Sequence, residues 1–169
     1  MRTDKQTTED TSNTAAQVAG AIGKGIVAGL VGTAVMTVAQ MIEMQLSGRE
    51  SSDTPYQAAK KVFGVKAEDE ESKETVNNLM HFAYGTAWGI PRALLAEFGS
   101  RGAAGTATHF GAVWGAALIM LPSLDLAEPV TEWEPEAVGK DALLHGIYAI
   151  ATGLAADALT SKADKDREV

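Results

Sequence analysis

Residues 102–124, GAAGTATHFGAVWGAALIMLPSL, run for 23 positions with His109 as the one ionisable side chain. As a helix this stretch makes about six turns. None of them carries the charged stripe that a helix on the surface of a water-soluble bundle keeps on its solvent side. Such a helix is surrounded either by protein or by lipid. A chain of 169 residues has the mass of one domain, too little to enclose several helices of this kind. Lipid is the environment that remains.

Working outward, cutting the chain at every Asp, Glu, Lys and Arg isolates three more long neutral stretches. They are residues 25–42, 75–91 and 142–156, with 18, 17 and 15 positions. Crossing hydrocarbon takes about 20 mainly apolar residues, in a range of roughly 17 to 25. The first two satisfy this unaided, and the third does so with Asp141 and Asp157 at the two interfaces. The sequence therefore predicts an all-α, four-span transmembrane helix bundle over residues 18–160. Its spans fall near 25–44, 76–95, 102–124 and 141–160.

The charged remainder frames these spans. Lys and Arg number 14 against 22 Asp and Glu, a net charge of −8, which argues against a nucleic-acid partner. The absence of Cys excludes disulfides, thiolate metal sites and thiol nucleophiles. Residues 1–17 read as a disordered polar N-terminal tail and 161–169 as a short charged C-terminal tail. No basic segment leads directly into a short apolar core, so the first span is expected to stay in place rather than be cleaved as a signal. In the long connection, Asp53-Thr54-Pro55 is a helix start. Tyr56, Ala59, Val62 and Phe63 follow at helical spacing with Lys60 and Lys61 opposite, which predicts an interfacial amphipathic helix over about 55–64. The run Glu68-Asp69-Glu70-Glu71 reads as a solvated helix start rather than a metal site. With four spans the termini share a side carrying eight Lys and Arg against six opposite, which favours cytoplasmic termini.

The second and fourth spans match at an offset of 64 residues. Leu79, His81, Tyr84, Ala87, Gly89 and Leu95 recur as Leu143, His145, Tyr148, Ala151, Gly153 and Leu159. A repeated two-span unit predicts two tandem hairpins related by a pseudo-twofold axis along the membrane normal. Small residues four apart mark close helix packing in lipid, where burying oil in oil contributes nothing. They occur as Gly25/Gly29, Ala28/Gly32, Gly85/Gly89, Gly111/Gly115 and Ala149/Gly153, read as packing seams first and as a dimerisation face second. Trp88 and Trp114 fall within spans, whereas Trp133 and Tyr56 suit the interfacial belt.

Ionisable groups inside a membrane are costly and mark candidate sites. Glu43, His81 and His145 fall in one layer near the outer end of the bundle, with Gln40, Tyr84 and Tyr148 nearby. Two His and a carboxylate can ligate a divalent metal, two facing His can hold a haem, and a His/Glu/Tyr group can relay protons. The plainer role for both His residues is hydrogen bonding between helices, and His109 reads as a packing residue. Arg92 and Asp157 are expected to form a snorkelling pair at the opposite interface. Pro91 is expected to kink or end the second span. Residues 20–25 are glycine-rich beside Lys24 but lack the Gly, Ser and Thr positions of a phosphate loop, and no hydrolase or metalloprotease motif occurs.

The block Val113-Trp114-Gly115, Leu121-Pro122-Ser123-Leu124, Pro129-Val130-Thr131-Glu132-Trp133 and Leu144-His145-Gly146-Ile147-Tyr148 resembles the YagU-like family of small bacterial inner-membrane proteins. The segment His81-Phe82-Ala83-Tyr84-Gly85-Thr86-Ala87-Trp88-Gly89 is similar in style, and the likeness covers roughly residues 24–159. It implies a multi-span helical protein of the cytoplasmic membrane, and brings with it no reaction, ligand or functional residue. The chain departs from the family pattern at Tyr148-Ala149, where Tyr-Gly is the family's step.

The function expected is that of a structural or accessory membrane protein rather than an enzyme, acting by packing against itself or a larger complex. Its partners would be the lipid bilayer and a homo-oligomeric or larger assembly, with no nucleic acid and no cofactor. The alternatives are a small transporter, channel or proton-linked protein using Glu43, His81 and His145, and a haem or divalent-metal carrier with His81 and His145 as ligands.

Overall fold

A computed structural model describes the backbone of residues 2–167 and the side chains of residues 14–163. Five helices follow one another: α1 (Arg2–Ser47), α2 (Thr54–Phe63), α3 (Glu70–Glu97), α4 (Gly102–Ser123) and α5 (Pro135–Arg167), with a single 3₁₀ turn at Val130–Glu132. Among the described residues there is no strand. α2 and α4 match the expected bounds to within a residue or two. The other three helices overrun theirs. Residues 2–17 continue α1 and residues 161–167 continue α5, in place of the two expected tails. Neither segment contains Gly or Pro before the apolar stretch, so a helix already nucleated there propagates outward at little cost.

Three helical segments are long and apolar enough to cross a membrane: Thr14–Ser47, Gly102–Ser123 and Pro135–Ala163. α3, the expected second span, is not among them. Its 28 residues give ample length, but Lys73, Glu74, Asn77, Asn78, His81 and Arg92 make it too polar. Nor does Pro91 end it; the helix continues to Glu97. α3 packs along α1 and also meets α2, α4 and α5; Asn77, His81 and Arg92 find partners on those helices, whereas Glu74 and Asn78 stay exposed.

The distribution of side chains is the reverse of a water-soluble core. No Leu or Ile is buried among the described residues; the interior is Ala, Gly, Thr, Val113, Met36, Tyr56, Tyr148, His109 and Arg92. On α1 the large apolar side chains, among them Ile26, Leu30, Val35, Val38 and Ile42, stand outward and exposed, while Ala21, Ala28 and Thr33 face in. In water Leu and Ile are among the residues most often buried, and an exposed apolar surface of this extent is unstable. In hydrocarbon the same arrangement is favourable, because small inward residues let the backbones close to dispersion distance.

That closure is tightest between α1 and α3. A methyl group added at Gly25 would lie 2.5 Å from the Ile90 Cα, and one at Gly29 would overlap the Thr86 carbonyl. One at Gly89 would meet the Gly25 and Gly29 backbone, and one at Gly85 would meet Thr33. Gly32 faces Tyr148 and Thr152 of α5, and Gly153 faces Thr106 of α4 and Arg92. Ala149 is fully buried. Gly111 and Gly115 differ from expectation: a methyl group at either would meet nothing within 4 Å. Their face of α4 points away from the bundle, because His109, Val113 and Ala117 take the inward side.

Three of the inward threonines turn their hydroxyls back to their own helix. Thr33, Thr37 and Thr160 donate to the carbonyls of Gly29, Thr33 and Ala156 at 2.8, 2.8 and 2.9 Å. At one end Lys24 on α1 pairs with Glu97 on α3 at 2.8 Å, both side chains largely buried.

The expected amphipathic helix α2 is docked on α3 as well as being apolar on one side. Tyr56 and Ala59 are buried, whereas Val62 and Phe63 stay exposed. Tyr56, expected in an interfacial belt, is thus covered by protein. Its N–H donates to Asn77 Oδ1 at 2.9 Å, while Asn77 Nδ2 donates to the Ser52 carbonyl at 3.0 Å. Gly64 ends α2 in the left-handed region at φ +69° and returns its N–H to the Lys60 carbonyl. The acidic run is the start of α3, with the Asp69 carboxylate accepting from the Ser72 N–H at 2.8 Å.

Two outcomes follow from this packing. Gly29→Leu or Gly89→Leu forces the α1 and α3 backbones apart and costs more than about 2 kcal/mol, whereas Gly111→Leu leaves monomer stability unchanged; thermal unfolding in detergent separates the two. Hydrogen bonding from Gln57 Nε2 is the main reason that the Asp53 carboxyl lies below its ordinary 3.8; burial opposes it, and the Lys73 ammonium lowers it further. A depressed carboxylate stabilises the fold above its unfolded value, and the gain disappears as pH falls through the folded value. Exchange protection of the Tyr56 amide is therefore flat between about pH 5 and 8 and falls below pH 3.8.

Candidate functional site

Four of the five residues expected to cluster do so. A cavity of about 90 Å³ between α1, α3, α4 and α5 is lined by Thr33, Met36, His81, Tyr84, Gly85, Trp88, Val113, His145 and Tyr148. Helical spacing explains the convergence: His81, Tyr84, Gly85 and Trp88 share one face of α3, and Asp141, His145, Tyr148 and Thr152 share one face of α5. Gly32 leaves room for Tyr148. Glu43 is not in the cluster. It lies further along α1, accepting from Arg49 Nε and Nη2 at 3.1 and 2.8 Å with Lys140 at 4.0 Å. Two cations close in sequence or space hold it at the end of the bundle.

The hydrogen bonds fix which nitrogen of each imidazole carries its proton. Thr37 spends its one hydroxyl proton on the Thr33 carbonyl, so at 3.2 Å it accepts from His81 Nε2–H. The lone pair of His81 is then on Nδ1. On α5, His145 Nδ1 lies 2.9 Å from the Asp141 carbonyl and 3.5 Å from its Oδ2, both acceptors, so Nδ1 donates and Nε2 carries the lone pair. Asp141 is itself held by Trp114 Nε1–H at 2.8 Å. Tyr148 donates its hydroxyl proton to the Gly85 carbonyl at 2.6 Å, tying α5 to α3 across the cavity.

Below the cavity the interior stays polar. His109 is 1% exposed, and its Nε2–H donates to the Trp88 carbonyl at 3.1 Å, leaving a buried Nδ1 without a protein partner. Its ring lies 5.7 Å from that of Tyr148. The expected pair of Arg92 and Asp157 forms, Nη2 to Oδ1 at 2.8 Å. It is not a snorkelling pair at the surface, because Arg92 is wholly buried and its Nε and Nη1 find no protein acceptor. Asp157 also accepts from the Gly102 N–H at 2.9 Å, capping α4 from a different helix. Gly105 and Gly153 make the space for the guanidinium. The pair thus joins α3 to α5 and fixes where α4 begins.

Sequence reading passed over Met36, Thr37, Trp88, Thr152 and Gly105. The polar positions 141, 145, 148, 152 and 160 of α5 recur at helical spacing, a stripe that signals an inward polar face. Met36 and Gly105 carry no such signal, because an apolar or small residue in a span looks alike from either side.

Chemically the cavity offers two imidazole lone pairs, a thioether, two phenols and an indole, with no carboxylate in its lining. At about 90 Å³ it is well below the ~300 Å³ of the smallest ordinary ligand pockets. Among the described residues no group of three His, Cys, Asp or Glu assembles. Comparison with protein-family models, with curated proteins and with solved structures finds no match to this chain.

Removing one partner of a buried ion pair strands the other charge. Asp157→Ala is therefore expected to cost about 3–5 kcal/mol of stability, and Arg92→Leu with Asp157→Leu together less than Asp157→Ala alone. Chemical denaturation of the single and double variants checks this.

Proposed function

We propose that this chain is a structural or accessory protein of a bacterial cytoplasmic membrane, acting by helix packing with itself or with a larger complex. The observation that carries the reading is the reversed burial: Ile, Leu and Val outside, Gly, Ala and Thr inside. α3 serves as the fourth span in this proposal. Its composition alone would not place it in lipid, but His81 finds a partner on α1 and Arg92 one on α5. The two hairpins, α1 with α3 and α4 with α5, are proposed to be duplicates. Supporting this, Gly89 packs on its hairpin partner α1 and its repeat counterpart Gly153 packs on Thr106 of its own partner α4. The His/Tyr pairs of both repeats line one cavity. Membership of the YagU-like family and a cytoplasmic location of both termini are part of this proposal. No catalytic residue is assigned. The association surface is the outward face of α4, where Gly111 and Gly115 leave the backbone open to another helix.

A second reading, a small transporter or proton-linked protein, is favoured by the convergence of His81, His145, Tyr84 and Tyr148, and weakened by the absence of Glu43 from that group.

The chain lacks Cys, so single cysteines report without background. Cysteines at Val35, Ile119 and Leu154 should resist a membrane-impermeant maleimide, one at Glu132 should react, and alkaline carbonate should leave the protein in the membrane pellet. Release into the supernatant refutes the membrane reading. Gly111→Leu with Gly115→Leu should abolish cross-linked oligomers while leaving the monomer folded; oligomers that persist refute the α4 association face.

A further inference from the structure

The cavity between α1, α3, α4 and α5 has a donor set that a packing role does not require. Three of its lining residues, His81, His145 and Met36, present metal-binding atoms of one character, neutral and soft to borderline. Both imidazoles are oriented from behind by fixed hydrogen bonds. His81 gives its Nε2–H to Thr37, and His145 gives its Nδ1–H to the Asp141 carbonyl. Backing of this kind sets the tautomer and ring direction of a metal-ligating His, and here it leaves one lone pair per ring uncommitted. Asp141, held in turn by Trp114, extends that support outward from His145.

Charge decides which metal such a group can take. No carboxylate lines the cavity: Asp141 lies on the Nδ1 side of His145 and is engaged by Trp114, and Glu43 is bound to Arg49 and flanked by Lys140. Moving an ion into a low-dielectric interior costs energy in proportion to the square of its charge. A divalent ion held by neutral ligands alone therefore carries about four times the penalty of a monovalent one. Thioether and imidazole donors select copper(I) among biological cations. The Trp88 ring in the same lining adds an aromatic face to the site, a favourable neighbour for a desolvated monovalent charge. The size agrees, since about 90 Å³ admits a bare ion.

We propose that this cavity is a copper(I) site, with His81 and His145 as the principal ligands and the Met36 thioether as the third. This goes beyond a packing role, because it gives the interior of the bundle a ligand of its own. It also replaces the Glu43-containing divalent set expected from the sequence.

The test uses the full-length protein purified in detergent under anaerobic, reducing conditions. Copper(I) is supplied from a chromophoric chelator, and silver(I) serves as a redox-inert probe. The wild type should retain one ion per chain through gel filtration, show a raised unfolding temperature with silver(I), and give a nitrogen-and-sulfur coordination shell by X-ray absorption. H81Q and H145Q should each weaken copper(I) binding by about 100-fold and M36L by about tenfold. Glutamine at position 81 can still donate to Thr37, so the fold is kept. Should a variant nevertheless unfold, the absorption spectrum of the wild type decides. The proposal is overturned if the wild type retains no stoichiometric copper(I) or silver(I), or if the H81Q/H145Q double variant retains as much as the wild type. It is equally overturned if zinc(II) binds as tightly as copper(I), or if the coordination shell lacks sulfur.

Discussion

The closest constraint in this protein is the approach of α1 to α3, where Gly25, Gly29 and Gly89 let two backbones meet with no side chain between them. In water that contact would gain little beyond dispersion, and the exposed Ile, Leu and Val of α1 would be a liability. In hydrocarbon the apolar side chains are already solvated, so association depends on how near the backbones come and on what hydrogen bonds form between helices. Both devices are used here. Glycine brings the helices together, and His81, His109, Tyr148 and Arg92 each reach a partner on another helix, with Arg92 Nε and Nη1 and His109 Nδ1 left without one.

A second consequence of that approach is that the polar interior is unusually well defined. With Gly32 yielding space, Tyr148 reaches across to the Gly85 carbonyl, and the imidazoles of His81 and His145 end in one small cavity. With Gly105 and Gly153 yielding space, Arg92 sits wholly inside and meets Asp157, which also caps α4. A buried ion pair is a weak source of net stability but a strict geometric requirement, since either charge alone is costly. It therefore specifies the register of α3, α4 and α5.

Much of this was legible without coordinates. The neutral run at 102–124 becomes α4 almost residue for residue, Asp53-Thr54-Pro55 starts α2, and the acidic run starts α3. His81, His145, Tyr84 and Tyr148 line one cavity, and Arg92 meets Asp157. The misreadings have a common origin. Gly111/Gly115 has the same spacing as Gly25/Gly29 and Gly85/Gly89, yet faces outward. Spacing along one helix says which residues share a face, and nothing about what that face meets. Glu43 was expected in the layer of the two imidazoles but lies beyond Met36 along α1, drawn to Arg49 and Lys140, a pairing that position along the helix alone does not reveal.

Composition and spacing by themselves determined the helical class, the presence of segments long and apolar enough to cross a membrane, and the sets of residues that share each helix face, because these follow from local periodicity and from the cost of charge in oil. Only the tertiary structure decided which faces meet: that His81 finds a partner on α1 and Arg92 one on α5, that Arg92 is interior, that Met36 joins His81 and His145, and that Glu43 does not. The rotation of each helix about its axis is set by pairwise contacts among residues far apart in the chain, and a single sequence records no trace of those contacts.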